Sequence, residues 1–171
     1  KGPVGSADTA AANENVLLSK DAASGVLTND TGGDQESLAV TNISSNDTSA
    51  TGTAGQGVLG TYGTLTMAAD GSYTYTPNTA AAEALDGGDS VSEKFTYTVK
   101  DDEDKNSSTA ELTINITGVN DAVVAVDDTD AVDEDGRVDR LISDDQELDH
   151  DDTDADTDDV SGSLTITDIR T

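Results

Sequence analysis

The sequence predicts an all-β protein, a β-sandwich with Greek-key connections, in which one complete module is followed by the opening of a second. Three observations lead there. Apolar residues recur with period two in several short runs, the pattern of strands that bury one face. Glycine, asparagine and aspartate turn signals separate those runs at short intervals. Residues after 120 restate the start of the chain in the same order, which reads as tandem repetition of one module.

The totals bound what such a protein can do. The 171 residues hold one domain and part of another. Asp and Glu number 36 against 8 Lys and Arg, a formal net charge of -28. That balance argues against nucleic acid, whose phosphates need a basic surface, and against an anionic membrane surface. No apolar run approaches the roughly 18 residues of a membrane span, so no membrane insertion is expected. With no cysteine, no disulfide staples the fold. Lys1 to Gly5 lacks the apolar core of a signal peptide, so the chain reads as a segment of something longer. Of the 36 acids, 18 fall within residues 121–160, and clustering of that kind points to sites rather than to an even solubilising coat.

Taken in order, Ala7 to Ala12 reads as an edge strand, followed by the short apolar run Val16-Leu17-Leu18. Ala22 to Leu27 reads as a single helical turn closing on Gly25, and Asn29 to Gly33 as a turn. Leu38, Val40 and Ile43 mark a strand ending near Ser44, and the Ser/Thr/Gly/Asn stretch from Ser45 to Gly57 reads as loop. The clearest local signal is a hairpin: Thr64 to Met67 and Ser72 to Thr76 alternate around Asp70-Gly71, with Leu65, Met67, Tyr73 and Tyr75 on one face. Core packing is the expected fate of those tyrosines, with a carbohydrate-stacking platform as the rival. Pro77 stops the strand. Thr79 to Leu85 predicts one or two helical turns, Val91 to Val99 a strand with Phe95, Tyr97 and Val99 on one face, and Thr109 to Thr117 the closing strand. Residues 1–119 therefore make a complete module, and 120–171 the first part of a second, similar one.

The repeat pairs Ala7-Asp8-Thr9-Ala10 with Asp127-Asp128-Thr129-Asp130, and Leu38 to Ile43 with Leu164 to Ile169. The second copy lacks the hairpin and closing strand, so downstream sequence, an inserted module or another chain is expected to complete it. Between the copies, a strand runs without a flexible linker into Gly118-Val119-Asn120-Asp121, and a second apolar run, Val123 to Val126, leads to further acids.

Gly60 to Met67, Asp70 to Asn78, Phe95 to Val99 and Gly118-Val119-Asn120-Asp121-Ala122 resemble the VCBS or cadherin-like repeats of large bacterial RTX adhesins, in the right order across the whole first module. The resemblance implies an immunoglobulin/cadherin-like sandwich repeated in tandem, with calcium at the module junctions. It also implies type I secretion, extracellular display at the bacterial cell surface, and a spacer role that projects a distal module toward a host or surface glycan or protein. The sequence departs from that family at Val123, where proline is usual, and at Thr157, where a glycine is missing from the acidic turn; it holds no glycine-rich RTX nonapeptide.

Calcium takes six to eight oxygen ligands, largely carboxylates and carbonyls. Asp102, Asp104 and Asn106 alternate, with Asp101 beside them; Asn120 and Asp121 follow the closing strand; Asp127, Asp128 and Glu134 open the next module. If the 101–106 loop lies at the end from which the chain leaves, these groups converge, as the resemblance also implies. Asp152, Asp154, Asp156 and Asp158 form a further alternating run that is not an EF-hand, because its glycine and closing glutamate are absent. Asp8, Glu14, Asn29 and Asp30 are expected to be the first module's half of an upstream joint. His150 has neither cysteine nor a second histidine to share a zinc ion. No nucleophile–base pair, phosphate loop or Gly-x-Ser-x-Gly appears, so no enzyme is expected. The leading expectation is a calcium-stiffened structural extender with neighbouring modules as partners; the alternative is a module that itself binds carbohydrate or protein, through the Ser45 to Tyr62 loops.

Overall fold

The computed structural model describes residues 2–32, 37–102, 107–127, 153, 155 and 156. The chain divides into two compact units, Lys1–Val119 and Asn120–Thr171. Asp104, Asn106, Asp128, Glu134, His150, Asp152, Asp154 and Asp158 lie outside the described residues.

The first unit is a sandwich of two sheets. Its strands are β1 (Asp8–Asn13), β2 (Leu18–Lys20), β3 (Leu38–Ser45), β4 (Thr51–Thr53), β5 (Gly57–Leu59), β6 (Gly63–Met67), β7 (Tyr73–Pro77), β8 (Ser90–Asp101) and β9 (Ser107–Thr117), with a short helix α1 (Ala80–Glu83) between β7 and β8. One sheet runs β1-β9-β8-β3-β4 and the other β2-β7-β6-β5. The chain changes sheet between β1 and β2, between β2 and β3, between β4 and β5, and between β7 and β8, so strands adjacent in sequence lie in opposite layers at four places. β1 pairs parallel with β9, and the other strand pairs of both sheets are antiparallel.

Period-two alternation explains which faces meet. Phe95, Tyr97 and Val99 of β8, and Leu112, Ile114 and Ile116 of β9, are buried against Leu65, Met67, Tyr73 and Tyr75 of the β6–β7 hairpin. The core packing expected of the hairpin tyrosines is what the structure shows, and it removes Tyr73 and Tyr75 as an exposed stacking platform. Tyr75 and Phe95 meet edge to face, centroids 6.3 Å apart, the geometry aromatic quadrupoles favour. In the hairpin turn only Gly71 takes a positive φ, 82°, which glycine adopts without a Cβ penalty.

Three local readings need correcting. The stretch 45–57 is not all loop: Thr51–Thr53 pairs with β3, and Gly57 begins β5 on β6. Both are three-residue edge strands, Thr51-Gly52-Thr53 and Gly57-Val58-Leu59, too short for alternation to betray them. The turn expected over Ala22 to Leu27 is a 3₁₀ turn at Val26–Thr28, entered from Gly25 rather than closed by it. In β3 the register shifts between Val40 and Asn42; this bulge is why Val40 and Ile43, three apart, are both buried.

Within the second unit, Val124 and Thr153 form an isolated antiparallel bridge. The apolar run around it is open, with Val123, Val124 and Val126 all exposed.

Candidate metal centre

Among the described residues of the first unit, acidic side chains gather in two places. The first is where the chain leaves the sandwich. β1 ends beside the end of β9, Asn13 opposite Thr117, and the next residue, Glu14, donates its N–H to the Thr117 carbonyl at 2.9 Å. Its side chain is fully buried, and Oε2 accepts the Val119 N–H at 3.0 Å. Glu83 reaches the same place from α1. Thr79 caps that helix, its hydroxyl accepting the Ala82 N–H at 3.3 Å, and Glu83 is the last helical residue. Carboxylate oxygens of Glu14 and Glu83 lie within 4.8 Å of each other. Two oxygens on one calcium ion stand at most about 5 Å apart, twice the Ca–O distance. The pair therefore fits a shared hard cation, which would offset the mutual repulsion of two carboxylates in a partly dry setting.

The second gathering lies on the half of the module where β9 begins. The Tyr97 hydroxyl donates to Asp8 Oδ2 at 2.7 Å, with Ser6 O at 3.1 Å, Asp30 Oδ2 at 3.2 Å and Val26 O at 3.4 Å also within reach. Asp30 Oδ1 accepts the Ser6 N–H at 2.6 Å, and Asn29 donates to the Ala7 carbonyl at 3.1 Å. Burial pushes both the Asp8 and Asp30 carboxyls above the usual range; for Asp8 the neighbouring Asp30 charge adds to the rise, while the Tyr97 hydrogen bond opposes it for both. Asp101, at the end of β8, is 6 % exposed, and its Oδ1 has no hydrogen-bond partner among the described residues. Asp102 follows it and is exposed.

Two expectations about position change here. Asp101 and Asp102 do not stand at the exit: Lys100 pairs with Ser107 while Ser90 pairs with Thr117. The 11 residues of β9, about 35 Å of strand, separate that loop from the point where the chain leaves. Asp8, Asn29 and Asp30 do gather, but without Glu14, because β1 carries the chain from one region to the other.

In the second unit, the Asp121 N–H donates to Asp156 Oδ2 at 2.9 Å, and Asp156 is buried. Asn120 Nδ2 donates to the Asp121 carbonyl at 2.5 Å, and Asp127 is exposed.

Sequence reasoning passed over Glu83. The available signal was a lone glutamate in an alanine-rich turn opened by a threonine cap, in which Thr79 and Glu83 are set to share one helical turn.

Comparison with known proteins adds a family. The model of the bacterial cadherin-like domain matches residues 1–118. No curated protein matches. Among solved structures, an endo-fucoidan hydrolase from glycoside hydrolase family 107 is similar at 20% identity and a TM-score of 0.40; the match covers 69% of this chain and 14% of that chain's length.

Proposed function

The chain belongs to the bacterial cadherin-like domain family, and from that membership we propose that it is a calcium-stiffened structural extender of a secreted adhesin at the bacterial cell surface. In this reading tandem modules space a distal ligand-binding domain away from the cell, in adhesion and biofilm formation, after type I secretion. The observation that carries it is the buried Glu14 carboxylate, which meets Glu83 and the Val119 N–H where the chain leaves the sandwich.

Glu14 and Glu83 are the residues of this module that hold the ion. Asn120, Asp121, Asp127, Asp128 and Glu134, at the start of the second unit, are proposed as calcium ligands from the sequence. Asp101, Asp102, Asp104 and Asn106, with Asp8, Asn29 and Asp30, are proposed to face a preceding module. Asp152, Asp154, Asp156 and Asp158 are proposed as a separate loop. Bound calcium supplies positive charge among converging carboxylates and so favours one orientation of the chain leaving the module.

Calorimetric titration of calcium into the wild type and Glu83→Gln tests this. Wild type is expected to bind with dissociation constants of order 10⁻⁴–10⁻³ M, as extracellular modules do. Glu83→Gln should weaken binding several-fold and, by relieving the like-charge repulsion with Glu14, should raise rather than lower the melting temperature in chelator. Identical titrations of the two proteins would refute the assignment.

A further inference from the structure

Glu93 is a buried acid with no part in the cation reading. It lies on β8, 1 % exposed, in the inward row that continues with Phe95 and Tyr97. The Tyr75 hydroxyl of β7 donates to Oε1. Oε2 accepts the backbone N–H groups of Thr61 at 2.8 Å and Tyr62 at 3.4 Å, in the turn between β5 and β6. Gly60 packs so close that a Cβ there would stand 2.0 Å from Oε2 and 2.9 Å from the Phe95 ring. The turn is tied onward. The Thr79 hydroxyl donates to the Thr61 carbonyl at 2.8 Å, and the Asn78 N–H donates to the Tyr62 carbonyl at 3.3 Å. Thr79 in turn caps α1, the helix that ends at Glu83.

We propose that Glu93 is a proton-sensitive clasp: its carboxyl grips the Gly60–Tyr62 turn, and through Thr79 the start of α1, and its protonation state sets how firmly that corner is held. The device lies wholly within the first unit and does not depend on a bound cation.

The surroundings give the direction. Tyr75 faces Glu93 from β7, Tyr62 from the β5–β6 turn, and the Asp47 charge acts on it from the β3–β4 turn. Ile114, its register partner on β9, does not titrate. Lys94, next along β8, pairs instead with Glu111 at 2.8 Å. The partners of the Glu93 carboxyl are thus neutral donors. Burial pushes the carboxyl above the usual range, the hydrogen bonds from Tyr75, Tyr62 and Thr61 pull the other way, and Asp47 adds to the rise. A carboxyl raised in the folded state adds stability that is fully present below its unfolded-state pKa and is lost as pH rises through the folded value.

The test is done in chelator, so that failure of the cation reading leaves it intact. Carbon-13 NMR of the wild type should show the Glu93 carboxyl titrating above the ordinary glutamate value of about 4.3. The amide signals of Thr61, Tyr62 and Ala82 should follow the same inflection. Glu93→Gln mimics the protonated acid, because its amide can accept from Thr61 and donate to the Tyr75 oxygen. It should remove that inflection and flatten the fall in melting temperature as pH rises above the ordinary glutamate value of about 4.3. Titration at or below the ordinary value would overturn the proposal, as would a Glu93→Gln protein with the wild-type pH slope. If Glu93→Gln fails to fold, the wild-type titration decides alone.

Discussion

A hydroxyl has one hydrogen, yet that of Tyr97 stands within hydrogen-bond reach of four oxygens, two of them carboxylate. Only one acceptor can be served at a time. Asp8 and Asp30 are both raised, mainly by burial, so each favours the folded state most when protonated and loses that contribution as pH rises through its folded pKa. Tyr97→Phe removes the donor that partly offsets this. The variant should be destabilised by about 1–3 kcal/mol at neutral pH, the cost of a buried polar group losing its partner. The loss should shrink at about pH 4, where protonated carboxyls can donate to each other. Urea unfolding at the two pH values measures it, and an equal loss at both would refute the account. Glu93 shows how a single residue is passed over: its place two before Phe95 sets an acid on the inward row of β8, a signal that the reading of Phe95, Tyr97 and Val99 on one face did not use. Which donors met it depended on Thr61 and Tyr62, about thirty residues away in the chain.

At the scale of elements, strands with apolar alternation were legible and those without it were not. The β6–β7 hairpin and the inward rows of β8 and β9 follow from residue type. β4 was hidden in a Ser/Thr/Gly stretch, and β5, which begins at its end, is too short to show a period; pairing with neighbours extends both. Helix α1 is only four residues long, and it is placed by its cap as much as by alanine propensity: Thr79 holds both the Ala82 N–H and the Thr61 carbonyl. Thr79→Ala should cost about 1 kcal/mol, the usual value of a lost N-cap. It should also weaken calcium binding by releasing Glu83, measured by denaturation in chelator and by calorimetry in parallel. A variant with wild-type stability and affinity would show that α1 is held by other means.

At the scale of the whole molecule, charge dominates. A chain of net charge -28 repels itself, and a cation shared by carboxylates reverses the sign of the local term. Calcium at a hundredfold above its dissociation constant stabilises the folded state by about 2.7 kcal/mol. Chelation should therefore lower the melting temperature and increase the radius of gyration in small-angle scattering; coincident profiles with and without calcium would count against stiffening. The sequence by itself determined the sandwich class and its inward residues, because side-chain alternation along a strand is a local property. It also showed where acids cluster along the chain. Only the tertiary structure decided which end of the module each acid occupies. A strand moves the chain about 3.3 Å per residue, so direction and pairing separate Asp101 from the exit and bring Glu14 to Glu83. Neither fact can be read from spacing along the chain.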